Sequence, residues 1–278
     1  MRIAESSQGK QLPRDWIACA GAVDSRNMPS SKPLSSTIMV IPFDNSALSP
    51  FSIFCVGKNY PDHAREMAAW EPDKRSGIPE LPEQEPIIFM KPGTALSKDG
   101  QTSIPTFEGR PVSSSMHYEA ELVLLIGADA EEVSINDAPG FISGYAAGLD
   151  MTLRDVQLEA KSAGNPWLKS KGFRRSALVS KFVTPEAAGR WLDLTISLSL
   201  NGAVVQHSAV SKMTFSPAYL VHYLSYIYGL RAGDLIFTGT PAGVGKVSAG
   251  DRLIASLETG ETKGLPAIAL VTLEANVS

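Results

Sequence analysis

The sequence reads as an α+β protein in which many short strands are joined by a few helices. Three observations predict this. Apolar runs of strand length, closed by glycine or turn residues, recur along the chain, as in Leu122–Gly127 and Leu235–Phe237. Asn201-Gly202 sits between two such runs, which is a strong signal for a two-residue hairpin. Helical character is confined to a stretch from Asp62, to Leu153–Ala163 and to Pro217–Tyr228, where Leu220, Leu224 and Ile227 recur at helical spacing.

Composition narrows the function classes. The 278 residues suffice for one large or two small domains, and a net charge of -4 with scattered basic residues gives no nucleic-acid footprint. Two cysteines, Cys19 and Cys55, argue against a disulfide framework or a thiolate zinc site and fit a reducing compartment. No apolar run is long enough to span a membrane, and the N-terminus has no secretory pattern, so the expected location is cytoplasmic with no membrane partner.

Residues 1–50 are rich in Ser and Pro and read as an N-terminal segment or small appendage. Phe51–Val56 reads as a strand ending in Gly57-Lys58-Asn59-Tyr60-Pro61. In the helix that follows, His63 and Glu66 are three apart and so share a face. A carboxylate beside an imidazole orients the ring for general-base work, although a surface His–Glu pair has the same spacing. Residues 71–85 are Pro- and charge-rich and read as a loop, either a lid or a plain excursion. Pro86–Met90 is a strand, and Lys91 at its end either meets an anionic ligand or is a solvated loop lysine.

The stretch Met116–Gly127 carries the sharpest signal. Alternation puts Glu119 and Glu121 on one strand face with His117 beside them. Two ionised carboxylates next to an apolar run are costly unless a divalent cation takes their oxygens or the face is solvated. A polar break over 128–139 leads to the strand Phe141–Leu149, whose Gly and Ala residues allow close backbone approach. Asp150 ends that strand, and Thr152 and Asp155 have capping-box spacing for the next helix, which Gly164 stops. Asp150 is then either a functional carboxylate at a strand–helix junction or a cap. Further strands are expected at 179–183, 192–200, 204–207, 251–258 and 267–274, and His222 reads as structural. The loop Thr238–Lys246 lacks the P-loop spacing, yet its backbone N–H groups and Thr240 can cradle a small anion.

Taken together, VGKNYPDHAREM (56–67), PIIFMKPGTAL (86–96), HYEAELVLLIG (117–127), GYAAGLDMTLRDVQ (144–157), GNPWLKSKGF (164–173) and LIFTGTPAGVG (235–245) resemble the fumarylacetoacetate hydrolase (FAH) family. LDMTLRDVQ and the following GNPW are most similar to its acylpyruvate hydrolase/oxaloacetate decarboxylase branch. The resemblance implies a mixed β-sheet roll of the FAH catalytic-domain type over 51–278, flanked by a few helices, usually in a homodimer. It implies a divalent metal, commonly Mg²⁺ and sometimes Mn²⁺ or Ca²⁺, on Glu119, Glu121 and Asp150. It carries catalytic roles onto His63, Glu66 and Lys171 (rather than Lys169), and substrate contacts onto Arg154, Gln157, Thr240 and Lys91. The implied substrate is a small-molecule 2-oxo acid. The implied reaction is hydrolysis of an acylpyruvate to pyruvate and a carboxylate, or decarboxylation of oxaloacetate, by way of an enolate. Isomerases and decarboxylases of the 2-hydroxyhepta-2,4-diene-1,7-dioate type and oxaloacetate tautomerases share these motifs, and a silent member would bind a 2-oxo acid without turnover. Arg174 and Arg175 depart from the family pattern and lie either near a distal carboxylate or on the surface.

Overall fold

The computed structural model describes residues 40–41, 48–70, 85–260 and 267–278. The segment 1–39, most of the lid candidate (71–84) and residues 261–266 lie outside the described residues. The fold is α+β: a curled mixed sheet with short helices at its rim. The main sheet has eight strands. Its spine runs Ile142–Asp150, Ala120–Ile126, Leu235–Phe237, Ile53–Gly57 and Ile87–Lys91. All these neighbours are antiparallel except Leu235–Phe237 beside Ile53–Gly57, which makes the sheet mixed. A five-stranded sheet contains the hairpin Leu194–Leu200/Ala203–Ala209 together with Arg252–Thr259 and Ala269–Val277. Asn201 and Gly202 both have positive φ (52° and 88°), as the tight hairpin turn requires.

The strand Ala120–Ile126 is buried along its whole length, because both its faces are covered. Leu122, Leu124 and Ile126 join the large core shared with the five-stranded sheet, while Val123 and Leu125 pack on the other face with Ile53, Cys55 and Phe237. A continuous apolar run is the signature of such a two-sided strand. The small residues of the neighbouring strand serve this packing: a Cβ on Gly148 would collide with Val123 and with the Phe237 ring.

Several local expectations are corrected. The first spine strand starts at Ile53, leaving Phe51 exposed, and Met116–Tyr118 is a separate strand in a three-stranded sheet with Thr152–Leu153 and Gly245–Val247. The expected capping box does not form: Thr152 is a strand residue whose hydroxyl donates to Asp150 O (3.3 Å). Asp155 instead accepts from Ser113 Oγ (2.5 Å), Ser114 N (2.8 Å) and Ser114 Oγ (2.9 Å). Gly164, with φ 68°, does cap the helix Arg154–Ala163. Ile227 is exposed, whereas Leu220 and Leu224 are buried. The hairpin Thr106–Phe107/Arg110–Pro111 has no alternating apolar pattern and was not anticipated.

Candidate active site

The register of the two long strands builds the centre. Glu121 pairs with Gly148 and Ala120 with Leu149, and Asp150 N donates to Glu119 O (2.9 Å), so the third carboxylate arrives beside the first two. Glu119, Glu121 and Asp150 are all buried, at 4%, 2% and 0% exposure, which excludes the solvated-face reading. Each offers an oxygen within 4.8 Å of the others.

Three buried cations face these carboxylates. Lys171, on the short helix Leu168–Lys171, donates to Glu119 Oε2 (2.6 Å) and Asp150 Oδ2 (2.7 Å). Arg154 donates to Glu119 Oε1 and to Gln157 Oε1. Lys91 lies 2.7 Å from Asp150 Oδ1, an ion pair not aligned as a hydrogen bond. Burial pushes the Glu119 carboxyl up, but Lys171 and Arg154 outweigh it and hold the group well below the usual carboxylate range. Glu121 goes the other way: burial and the charges of Asp150 and Glu119 push it well above that range, despite the Gly239 N–H on its Oε2 (2.7 Å). Burial lowers the Lys171 pKa, and Asp150 and Glu119 reverse that and raise it.

This donor set fits a hard divalent cation. It is all carboxylate oxygen, it is buried, and it confines three carboxylates so closely that Glu121 resists ionisation. Glu119, Glu121 and Asp150 are the groups that would hold the ion.

His63 and Glu66 project from the helix Pro61–Trp70, with Nδ1 and Oε2 at 3.1 Å. A carboxylate only accepts, so Nδ1 carries the proton and Nε2 is left as the base. Burial pushes Glu66 up, but the bonds from His63 and Gly243 N win and hold it below its ordinary value. Two N–H groups of the glycine-rich loop thus serve the protein's own carboxylates rather than an outside anion. Gly239 N binds Glu121 and Gly243 N binds Glu66 (3.1 Å). Only glycine fits at 239: φ is 101°, and a Cβ would stand 2.7 Å from the Asn59 Cβ.

One pocket collects most of the predicted residues: His63, Glu119, Glu121, Arg154, Gln157, Lys171 and Thr240 all line it. Asp150 lies behind this wall. Lys91 does not line the pocket and is not solvated; at 1% exposure it binds Met151 O (3.2 Å), Lys171 O and Ser176 Oγ (2.9 Å), so it braces the site from behind. Lys169 is exposed, Arg174 is exposed and Arg175 pairs with Asp99 (2.7 Å) on the surface. His117 is not in the carboxylate group: its Nε2 meets Ser115 Oγ (3.1 Å), and burial together with Arg154 pushes its pKa down to about 4. His222 is structural, with Nδ1 at 2.7 Å from Val133 O.

Sequence reasoning missed Lys58, Phe89, Lys161 and Trp167 on the pocket wall. Lys58, Phe89 and Trp167 lie inside the six motifs, so the signal was present. It also missed Gln206, which has none. Gln206 reaches across from the second sheet to accept from Ala120 N (2.9 Å) and donate to Thr240 Oγ1 (2.8 Å) and Pro241 O (2.9 Å).

This fold and this carboxylate centre coincide with a family match over residues 52–277 to the fumarylacetoacetate (FAA) hydrolase C-terminal model. The chain belongs to the fumarylacetoacetate hydrolase family. It is 39% identical over 207 residues to oxaloacetate tautomerase FAHD1, mitochondrial, of Bos taurus, covering 74% of this chain and 86% of that one. It is 39% identical over 208 residues to oxaloacetate tautomerase YcgM of Escherichia coli, covering 74% and 88%. Among solved structures it resembles fumarylpyruvate hydrolase from Pseudomonas aeruginosa in complex with Mn²⁺ and pyruvate. The TM-score is 0.65 at 33% identity, covering 82% of this chain and 89% of that one.

Proposed function

We propose that this protein is a divalent-metal-dependent enzyme of 2-oxo acids whose principal reaction is keto–enol tautomerisation of oxaloacetate. One observation carries the reading: Glu119 and Glu121 of the carboxylate centre line the same pocket as His63, with Asp150 within reach of both glutamates. Glu119, Glu121 and Asp150 would hold Mg²⁺ or Mn²⁺, which would supply Lewis-acid polarisation of the 2-oxo carbonyl. Lys171 keeps a fixed positive charge where negative charge develops on the substrate oxygen. In enol formation His63 Nε2 takes the proton from the carbon next to the carbonyl and delivers it to the 2-oxo oxygen, in ketonisation it moves the proton from that oxygen back to the carbon, and Glu66 holds the ring in the tautomer this needs. Arg154 and Gln157 hold each other on the pocket wall, and Thr240, tied to Gln206, lines the same pocket and offers its hydroxyl to the substrate. The names of the tautomerase relatives support this reading.

A second reading is acylpyruvate hydrolysis, in which the same His63–Glu66 pair activates a water. The likeness to fumarylpyruvate hydrolase favours it. The test follows loss of the oxaloacetate enol and release of pyruvate from oxaloacetate and from acetylpyruvate, each with Mg²⁺ and with EDTA. Metal-dependent enol loss that outruns any pyruvate release supports tautomerisation. Faster release from acetylpyruvate establishes the hydrolase reading instead. No turnover of either compound, with metal shown bound, refutes both. A homodimer is part of the proposal, and light scattering at twice the chain mass checks it.

A further inference from the structure

The positive charge deep in the site is already committed. Arg154 goes to Glu119 and Gln157, Lys171 to Glu119 and Asp150, and Lys91 to Asp150. Two more cations line the pocket, Lys58 and Lys161. The Lys161 ammonium stands over the Trp167 ring at 5.2 Å. Lys58 has no hydrogen bond or ion pair among the described residues, although it is half-buried.

The backbone of Lys58 is also unusual. Its φ of 55° lies in the left-handed region, which a lysine rarely adopts. The next residue enforces this. Asn59 is fully buried and locked by three bonds: to Phe215 O (3.0 Å), to Thr238 O (2.7 Å) and from Phe215 N (2.7 Å). Strain held in place by such bonds is found where a side chain must be aimed. Here it holds Lys58, whose ammonium is uncommitted, on the pocket wall between the strand Ile53–Gly57 and the helix of His63.

We propose that Lys58, with Lys161 adding to the positive potential, forms a subsite for a second, distal carboxylate, so that the pocket selects dicarboxylic over monocarboxylic 2-oxo acids. An ammonium offers three donors and a compact charge, which suits a carboxylate approaching from solvent. The inference rests on the 2-oxo acid reading for the other end of the ligand.

The test is calorimetric titration of the Mg²⁺-loaded full chain with oxaloacetate and with pyruvate, which differ by one carboxylate. The parent binds oxaloacetate at least about tenfold tighter, the scale of one charge-assisted hydrogen bond. Lys58→Asn, whose side chain tolerates the left-handed backbone, loses about tenfold or more for oxaloacetate and stays within about twofold for pyruvate. Lys58→Arg keeps most of the preference. An unchanged oxaloacetate-to-pyruvate ratio in Lys58→Asn, an equal loss for both ligands, or a parent that does not discriminate overturns the proposal. Enol turnover by the same parent preparation keeps the two claims apart. Discrimination lost in the variant while the parent turns over nothing refutes the tautomerase reading and leaves the subsite standing. Turnover with an unchanged ratio does the reverse.

Discussion

Gln206 is one side chain holding together two parts of the site, and Gln206→Leu removes that link with little change in volume. Three bonds disappear: from Ala120 N (2.9 Å), to Thr240 Oγ1 (2.8 Å) and to Pro241 O (2.9 Å). Ala120 is fully buried, so its N–H is left without water or partner, at a cost of about 1–3 kcal/mol. The lost bonds to Thr240 and Pro241 add about 1 kcal/mol, because Thr240 Oγ1 still reaches Pro241 O at 3.4 Å. The sum is about 2–4 kcal/mol, and at roughly 2–4 °C per kcal/mol the melting temperature falls by roughly 4–16 °C. Ala120 lies between the two glutamates, so Mg²⁺ affinity also falls, on the order of tenfold. Scanning calorimetry of the metal-free chain and Mg²⁺ titration measure the two effects. A melting temperature within about 1 °C of the parent, with unchanged Mg²⁺ affinity, would refute the idea that this side chain couples the strand to the loop.

Glu121→Gln keeps an acceptor for Gly239 N and replaces a carboxyl that burial and its neighbours already keep from ionising, so the metal-free protein melts no lower than the parent while the stabilisation by Mg²⁺ disappears; thermal scans with and without Mg²⁺ read both. His63→Ala lowers turnover about 10²–10⁴-fold and leaves the Mg²⁺ dissociation constant within about twofold, since the imidazole is a base and not a ligand; comparable losses in both would show that it holds the metal. For Asp155, burial raises the carboxyl pKa and the Ser113 and Ser114 bonds bring it below its ordinary value, so its stabilisation is present above about pH 4 and fades as the pH falls through the lowered pKa. Asp155→Asn therefore melts below the parent at pH 7, with a gap that closes in acid; a gap that widens on acidification contradicts the sign.

Much of this protein was written locally. Periodicity of two placed Glu119 and Glu121 on one face, spacing of three paired His63 with Glu66, and Asn-Gly fixed the hairpin, because backbone geometry over a few residues follows from the residues themselves. Whether that face met water or a second layer was a different matter, since burial depends on what packs above it. Lys91 looked like a loop lysine because nothing near it in the chain reveals Asp150 or Ser176, which lie 59 and 85 positions away. Thr152 and Asp155 had the spacing of a cap, yet the strand pairing of Thr152 with His117 and the serines at 113 and 114 took those groups first.

The sequence by itself determined most of the long strands, the helix of the His–Glu pair, the acidic residue types of the centre and, through six ordered motifs, the family. Only the tertiary structure decided which carboxylates meet, which cations are consumed in holding them, and that Gly239 and Gly243 serve the protein's own glutamates. The reason is that sheet register and layer packing bring together residues far apart in the chain, and those contacts set both burial and charge balance. No local pattern contains that information.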